Sequence, residues 1–171
     1  LSKEECDEIK KIANNKSFEV ARLGKESIKD ESVRKSELVW LHPSDNLEHI
    51  YQKLTDVIVL LNEKFFNFEL FGFAESIQFT KYTFPDGKYG KHIDKNKGKL
   101  FRKLSIIVQL TNPDEYEGGK VLIHGSGKPD VLPTTQGSLY AFPSYVLHEV
   151  TPVTKGERCS LVAWLTGPLF K

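Results

Sequence analysis

The chain has 171 residues, with 24 Lys and Arg against 23 Asp and Glu, 39% hydrophobic and 27% charged residues, 12 Gly and 8 Pro. These proportions exclude collagen-like, low-complexity and disordered classes, and a net charge of +1 argues against a dedicated nucleic-acid binder or a polybasic membrane anchor. The longest strongly apolar run, 57–61, is far short of the roughly 18 residues that span a bilayer, and the length suits a single domain over 1–171.

Ser2 and Glu5 form a capping box, so a first helix is expected to about Ala13, with Leu1 placed to staple onto Cys6. Asn14 and Asn15 end it. The stretch to Glu37 is polar, of mixed sign and without a period, and a short strand is expected at 38–41. Asp45 and Glu48 give a second capping signal. Leu47, Ile50, Tyr51, Leu54, Val57, Ile58 and Leu61 then recur at spacings of three and four, one face of a helix.

From Ser76 onward the period becomes two, broken by Pro85-Asp86-Gly87, Glu117-Gly118-Gly119 and Lys155-Gly156. Strands are expected at 77–83, 90–94, 104–111, 120–124, 138–142, 147–150 and 158–165. Helices followed by seven or eight short strands, with no room for parallel crossovers, indicate an α+β chain. Its helical support covers about 1–70 and its double-stranded β-helix (jelly-roll) core about 76–168. Cys6 and Cys159 make no metal pattern and no disulfide framework. They read as reduced thiols, and with no signal-like segment at Leu1 the expected location is cytoplasmic.

His92-Ile93-Asp94 sends an imidazole and a carboxylate from one face of a strand, where both can reach one metal ion. On its own the pair is equally a surface feature. His148 lies inside an apolar strand, where solvation does not explain it and a hydrogen-bonded core histidine is the plain alternative. Together the three make two histidines and a carboxylate, the set that holds one face of octahedral Fe(II) and leaves positions for substrate and O2. Ten residues on, alternation puts Arg158, Ser160, Val162 and Trp164 on one strand face. An inward Arg158 needs an anion, and a dicarboxylate cosubstrate fits its guanidinium fork; an outward one makes a surface ion pair.

The order of Tyr82, Pro85-Asp86-Gly87, Tyr89, His92-Ile93-Asp94, Gly118-Gly119, Gly137, Phe142-Pro143, His148, Pro152-Val153, Gly156, Arg158 and Trp164 resembles the 2-oxoglutarate- and Fe(II)-dependent dioxygenases, in their prolyl 4-hydroxylase-like branch. The opening segment from Leu1 to Cys6 resembles that branch's first helix. The resemblance implies Fe(II) held by His92, Asp94 and His148. It implies 2-oxoglutarate held at its distal carboxylate by Arg158, where many relatives carry Lys, with Tyr82 touching the same carboxylate and Trp164 lining the cosubstrate pocket. O2 is the second cosubstrate and ascorbate a candidate reductant.

The expected reaction is hydroxylation of an unactivated C–H bond, foremost a prolyl residue in a peptide or protein, with succinate and CO2 as coproducts. Another side chain or small molecule as substrate, or a non-catalytic jelly-roll binding module, are the alternatives. A nucleic-acid substrate is disfavoured, because the second downstream arginine characteristic of the family's nucleic-acid demethylase branch is absent and there is no strong basic excess. The basic run from Lys95 to Lys103 follows Asp94 and reads either as a substrate lid favouring acidic substrates or as a solvated loop. His42, His49 and His124 are taken as structural or surface residues.

Overall fold

A computed structural model describes residues 1–21, 30–73, 75–94 and 101–169. The chain opens with helix α1 (Lys3–Asn14), whose N-terminus carries the expected capping box: Glu5 N–H donates to Ser2 Oγ at 3.2 Å, and Ser2 N–H donates to a Glu5 carboxylate oxygen at 2.6 Å. Strands β1 (Glu19–Val20), β2 (Arg34–Lys35) and β3 (Glu37–Leu41) follow, the first two inside the stretch that shows no period in sequence.

Helix α2 (Glu48–Leu61) begins differently from expectation. Asp45 does not cap it: Asp45 closes a short 3-10 turn by accepting from His42 N–H at 2.7 Å, and Leu47 stands at the helix start without a side-chain cap. The turn accepts Asp45 because Pro43 fixes its first residue and Asn46 adopts a left-handed conformation just before Leu47. Of the predicted helix face, Leu47, Ile50, Leu54 and Ile58 are buried, whereas Val57 is exposed.

The remaining strands are β4 (Gly72–Phe73), β5 (Ile77–Thr83), β6 (Lys88–His92), β7 (Phe101–Gln109), β8 (Tyr116–Gly118), β9 (Val121–Ile123), β10 (Asp130–Val131), β11 (Leu139–Pro143), β12 (His148–Val150) and β13 (Val153–Gly167). All pairings are antiparallel. The major sheet runs β1-β3-β5-β13-β7-β11, with β4 and β8 also paired to β13, and the minor sheet runs β10-β9-β12-β6-β2. Mixed helix and strand with two antiparallel sheets is the α+β jelly roll that the sequence leads one to expect.

Strict alternation in the major sheet sorts its side chains into two populations. Ile77 and Phe79 of β5, Leu104, Ile106 and Val108 of β7, and Cys159, Leu161, Ala163 and Leu165 of β13 face the helices, packing with Cys6 and Ile9 of α1 and Ile50, Leu54 and Ile58 of α2. Each such buried aliphatic or aromatic side chain is worth roughly 1.5–3 kcal/mol over an exposed one. The opposite faces of the same strands carry Gln78, Thr80 and Tyr82, Ser105 and Gln109, and Arg158, Ser160 and Trp164, all buried. A smaller apolar cluster of Tyr82, Ile107, Val121, Phe142, Val150 and Val153 joins that face to the minor sheet. The space between the sheets is therefore the polar one.

Cys6 and Cys159 are free and buried, and no described helix is long and apolar enough to cross a membrane. Of the basic run at 95–103, residues 95–100 lie outside the described part. Its last members are not a solvated loop: Arg102 and Lys103 belong to β7, where Arg102 pairs with Glu75 at 2.6 Å and Lys103 is buried.

Candidate metal centre

His92, Asp94 and His148 converge, with one ligand atom from each lying within 4.8 Å of the others. The histidines come from adjacent strands of the minor sheet, at paired positions: His148 of β12 stands opposite His92 of β6. Asp94 lies two residues past the end of β6, not on it. Its N–H donates to Ser144 O at 2.9 Å, which turns the chain so that the carboxylate still faces the two rings.

Both rings are oriented from behind. His92 Nδ1–H donates to Gly90 O at 2.8 Å and His148 Nδ1–H donates to Val146 O at 2.9 Å. That fixes the tautomer and leaves each Nε2 lone pair free, and each Nε2 stands 3.6 Å from an Asp94 oxygen. The carboxylate is held in turn by Ser105 Oγ–H, which donates to Asp94 Oδ2 at 2.6 Å and lies 3.0 Å from Ser144 Oγ. Burial, and next the adjacent His148 ring, push His92 down to about 4, so this imidazole is neutral around pH 7 as a metal ligand must be. Two imidazole nitrogens and one carboxylate are the donor set of an Fe(II) facial triad, and the residues fit that ion.

Arg158 sits deep between the sheets at 2% exposure. Nη1 reaches only Ser160 Oγ at 3.5 Å, Tyr116 hydroxyl is a second neighbour, and no described carboxylate pairs with it. The guanidinium borders a narrow cavity of about 10 Å³ together with Ile107, Gln109, Val121 and Tyr140. Gly119, at φ +56°, allows the close approach there: a Cβ would stand 2.9 Å from Arg158 Cδ. A buried cation with no counter-charge among the described residues is costly, and the arrangement suits an anionic partner at the guanidinium.

Tyr82 is Arg158's register partner on β5, its ring centroid 5.6 Å from the guanidinium carbon, and burial raises its hydroxyl above the usual range. Trp164 lies opposite Ser105, the residue that holds Asp94; Arg102 covers its ring at 3.6 Å, and its buried Nε1–H has no partner among the described residues. The six residues singled out in sequence thus line one interior.

Others were missed. Ser105 and Ser144 support Asp94, and Arg34 of β2 lies 4.5 Å from the Tyr89 ring. Ser105 does leave a signal, as a hydroxyl within the apolar run from Leu104 to Val108. Arg34 leaves none, because a two-residue strand has no period. The three histidines without an assigned role have partners elsewhere: His42 with Ser76, His49 with Glu8, and His124 with Glu149.

The model of the 2OG-Fe(II) oxygenase superfamily matches residues 77–166. A PKHD-type hydroxylase of Aliarcobacter butzleri is 30% identical over 172 residues, spanning 96% of this chain and 74% of that one. Among solved structures, the 2-oxoglutarate complex of a viral collagen prolyl hydroxylase from Paramecium Bursaria Chlorella virus-1 superposes with a TM-score of 0.75 at 23% identity, over 98% of this chain and 92% of that one. A prolyl hydroxylase of Trichoplax adhaerens, bound to a peptide fragment of the hypoxia inducible factor oxygen degradation domain, also gives 0.75 at 16% identity, over 95% and 74% of the two chains.

Proposed function

Because the chain belongs to the 2OG-Fe(II) oxygenase superfamily, we propose that it acts as a single domain over 1–171 that hydroxylates a prolyl residue of a peptide or protein, with His92, Asp94 and His148 as its iron ligands. The observation that carries this reading is the pairing of that triad with a buried arginine that has no counter-charge among the described residues. Fe(II) and 2-oxoglutarate, when bound, supply the oxidising chemistry, in which O2 converts the cosubstrate to succinate and CO2 and places one oxygen atom in a C–H bond of the substrate.

The protein's part is positional. The carbonyls of Gly90 and Val146 hold the two imidazoles by Nδ1 and aim both Nε2 atoms at one point, while Ser105 holds the carboxylate. Arg158 binds the distal carboxylate of the cosubstrate as a charge-assisted pair, and the Tyr82 hydroxyl donates to the same group. Trp164 walls the cosubstrate side next to Asp94. Ile107, Val121 and Val153 keep water from the space between.

A peptidyl substrate is supported by the peptide seen on the Trichoplax hydroxylase of the same fold. The test is succinate release from 2-oxoglutarate by Fe(II)-loaded protein, with and without a pool of proline-rich peptides, followed by mass spectrometry of the peptides. Succinate that rises with peptide, together with a 16 Da gain on proline, is expected from the mass of one inserted oxygen atom. Peptide-independent succinate with no modified proline would refute the prolyl substrate. No succinate at all from folded, metal-loaded protein would refute the enzyme itself.

A further inference from the structure

We propose that Tyr89 and Arg34 form a positioning clamp that fixes the plane of the His92 ring for metal binding, an inference that rests on His92 being an iron ligand. The Tyr89 and His92 rings stack face to face, centroids 3.4 Å apart and planes 13° from parallel. In a regular strand, residues three apart point to opposite faces, so this stack should not exist. A β-bulge makes it possible. Pairing between β12 and β6 passes from His148 opposite His92 to Val150 opposite Tyr89, two steps on one strand against three on the other. The extra residue in β6 brings Tyr89 round to the side of His92.

The bulge also contains Gly90, whose carbonyl takes the His92 Nδ1–H bond and whose own N–H donates to Val33 O at 2.7 Å. One hydrogen bond at Nδ1 leaves an imidazole free to tilt about the line of that bond, and a parallel ring against its face removes this freedom. His148 has no parallel partner among the described residues: His92 lies tilted to it at 4.1 Å and 52°, and Phe142 meets it edge-on at 4.8 Å and 64°. It is instead more deeply enclosed than His92, with 4% of its side chain exposed against 14%.

Arg34 completes the clamp. It stands opposite Tyr89 in the β2–β6 register, with its guanidinium carbon 4.5 Å from the tyrosine centroid. Since His92 covers one face of that ring, the cation lies over the other. Its own position is fixed by donation from Nε to Ser36 Oγ at 2.9 Å and from Nη2 to Gln78 Oε1 at 3.2 Å, and Gln78 Oε1 is held by Thr80 Oγ1–H at 3.0 Å. No described carboxylate draws the guanidinium away from the ring. The edge strand β2, only two residues long, thus locks a ligand that it does not touch.

The test uses Co(II) as the probe, added to the metal-free full chain, and reads its dissociation constant and visible ligand-field spectrum. Outer partners of metal-bound histidines change affinity by about 10- to 100-fold, so Tyr89→Leu is expected to weaken Co(II) by about tenfold and to alter the visible bands. Tyr89→Phe keeps the ring and is expected within about twofold of the parent, and Arg34→Met to fall between the two. Wild-type affinity and spectrum in Tyr89→Leu would overturn the proposal, as would a loss in Tyr89→Phe equal to that in Tyr89→Leu. Should Tyr89→Leu fail to fold, Arg34→Met decides: unchanged affinity and spectrum overturn the clamp. His92→Ala is the separate control. Unchanged Co(II) binding there refutes the ligand reading rather than the clamp.

Discussion

The two sheets are built on different terms. The major sheet has strands of up to 15 residues, and its outer face is sealed by α1 and α2 around Phe79, Leu104, Ile106 and Leu161. No strand of the minor sheet exceeds the five residues of β6, yet two such strands carry both candidate histidine ligands. The major sheet contributes Arg158 and Tyr82, the proposed cosubstrate holders, and Ser105 behind Asp94. The minor sheet contributes the two candidate histidine ligands, and the chain just beyond β6 the candidate carboxylate. Stability and chemistry are thus set by opposite layers, and they should fail separately when each is cut.

The largest effect tests that separation directly. His148→Ala removes a ligand from the minor sheet, and 2-oxoglutarate turnover is expected to become undetectable while unfolding stability drops by no more than about 2 kcal/mol, the scale of one buried hydrogen-bonded group. Phe79→Ala cuts the helix-facing layer, and about 3–5 kcal/mol of stability should be lost from the cavity and the lost burial together. Denaturant melts and succinate assays on both variants are the measurement. Equal loss of stability in the two would show one undivided core.

Arg158 sharpens the comparison, because it sits on the major sheet but faces the site. Arg158→Met is expected to raise the KM for 2-oxoglutarate by on the order of 100-fold, the cost of removing one partner of a buried charge pair. In the cosubstrate-free protein the same change should leave stability unaltered or increase it by about 1–4 kcal/mol, since a buried cation with no described counter-charge is replaced by an apolar side chain. A loss of stability with an unchanged KM would make Arg158 a structural residue.

Legibility in the sequence follows the same division. The strand 77–83 reads correctly to the residue, and alternation puts Arg158, Ser160 and Trp164 on one face, but that this face is the inner one is decided by the helices covering the other. The triad is legible as residue types, but its geometry arises otherwise than parity suggests: Asp94 has left the strand and is turned inward by Ser144 O. β1 and β2 are too short to carry a period, and their existence depends on partners distant in sequence. The bulge in β6 has no local signature either, beyond a glycine at position 90. Asp45 misleads because a carboxylate satisfies the N–H of a short turn as readily as that of a helix.

The smallest expected effect concerns Cys159, next to Arg158 but on the sealed, helix-facing side of β13. Burial, and then the adjacent Glu157 carboxylate, push this thiol up to about 12, and the Sγ–H donates to Glu157 Oε1 at 3.5 Å, a contact that requires the proton. In the unfolded chain the thiol ionises near 9.0, so between that pH and about 12 the unfolded state has released a proton that the folded state keeps. The contribution is therefore complete below pH 9 and is lost as pH rises toward 12. Compared with Cys159→Ala, the native chain should lose about 1 kcal/mol of its relative stability by pH 10, and folded protein should resist thiol alkylation at pH 9 while urea-unfolded protein reacts. Rapid alkylation of Cys159 in the folded protein would mean that the helix layer opens readily. In that case the major sheet is not the more stable of the two layers.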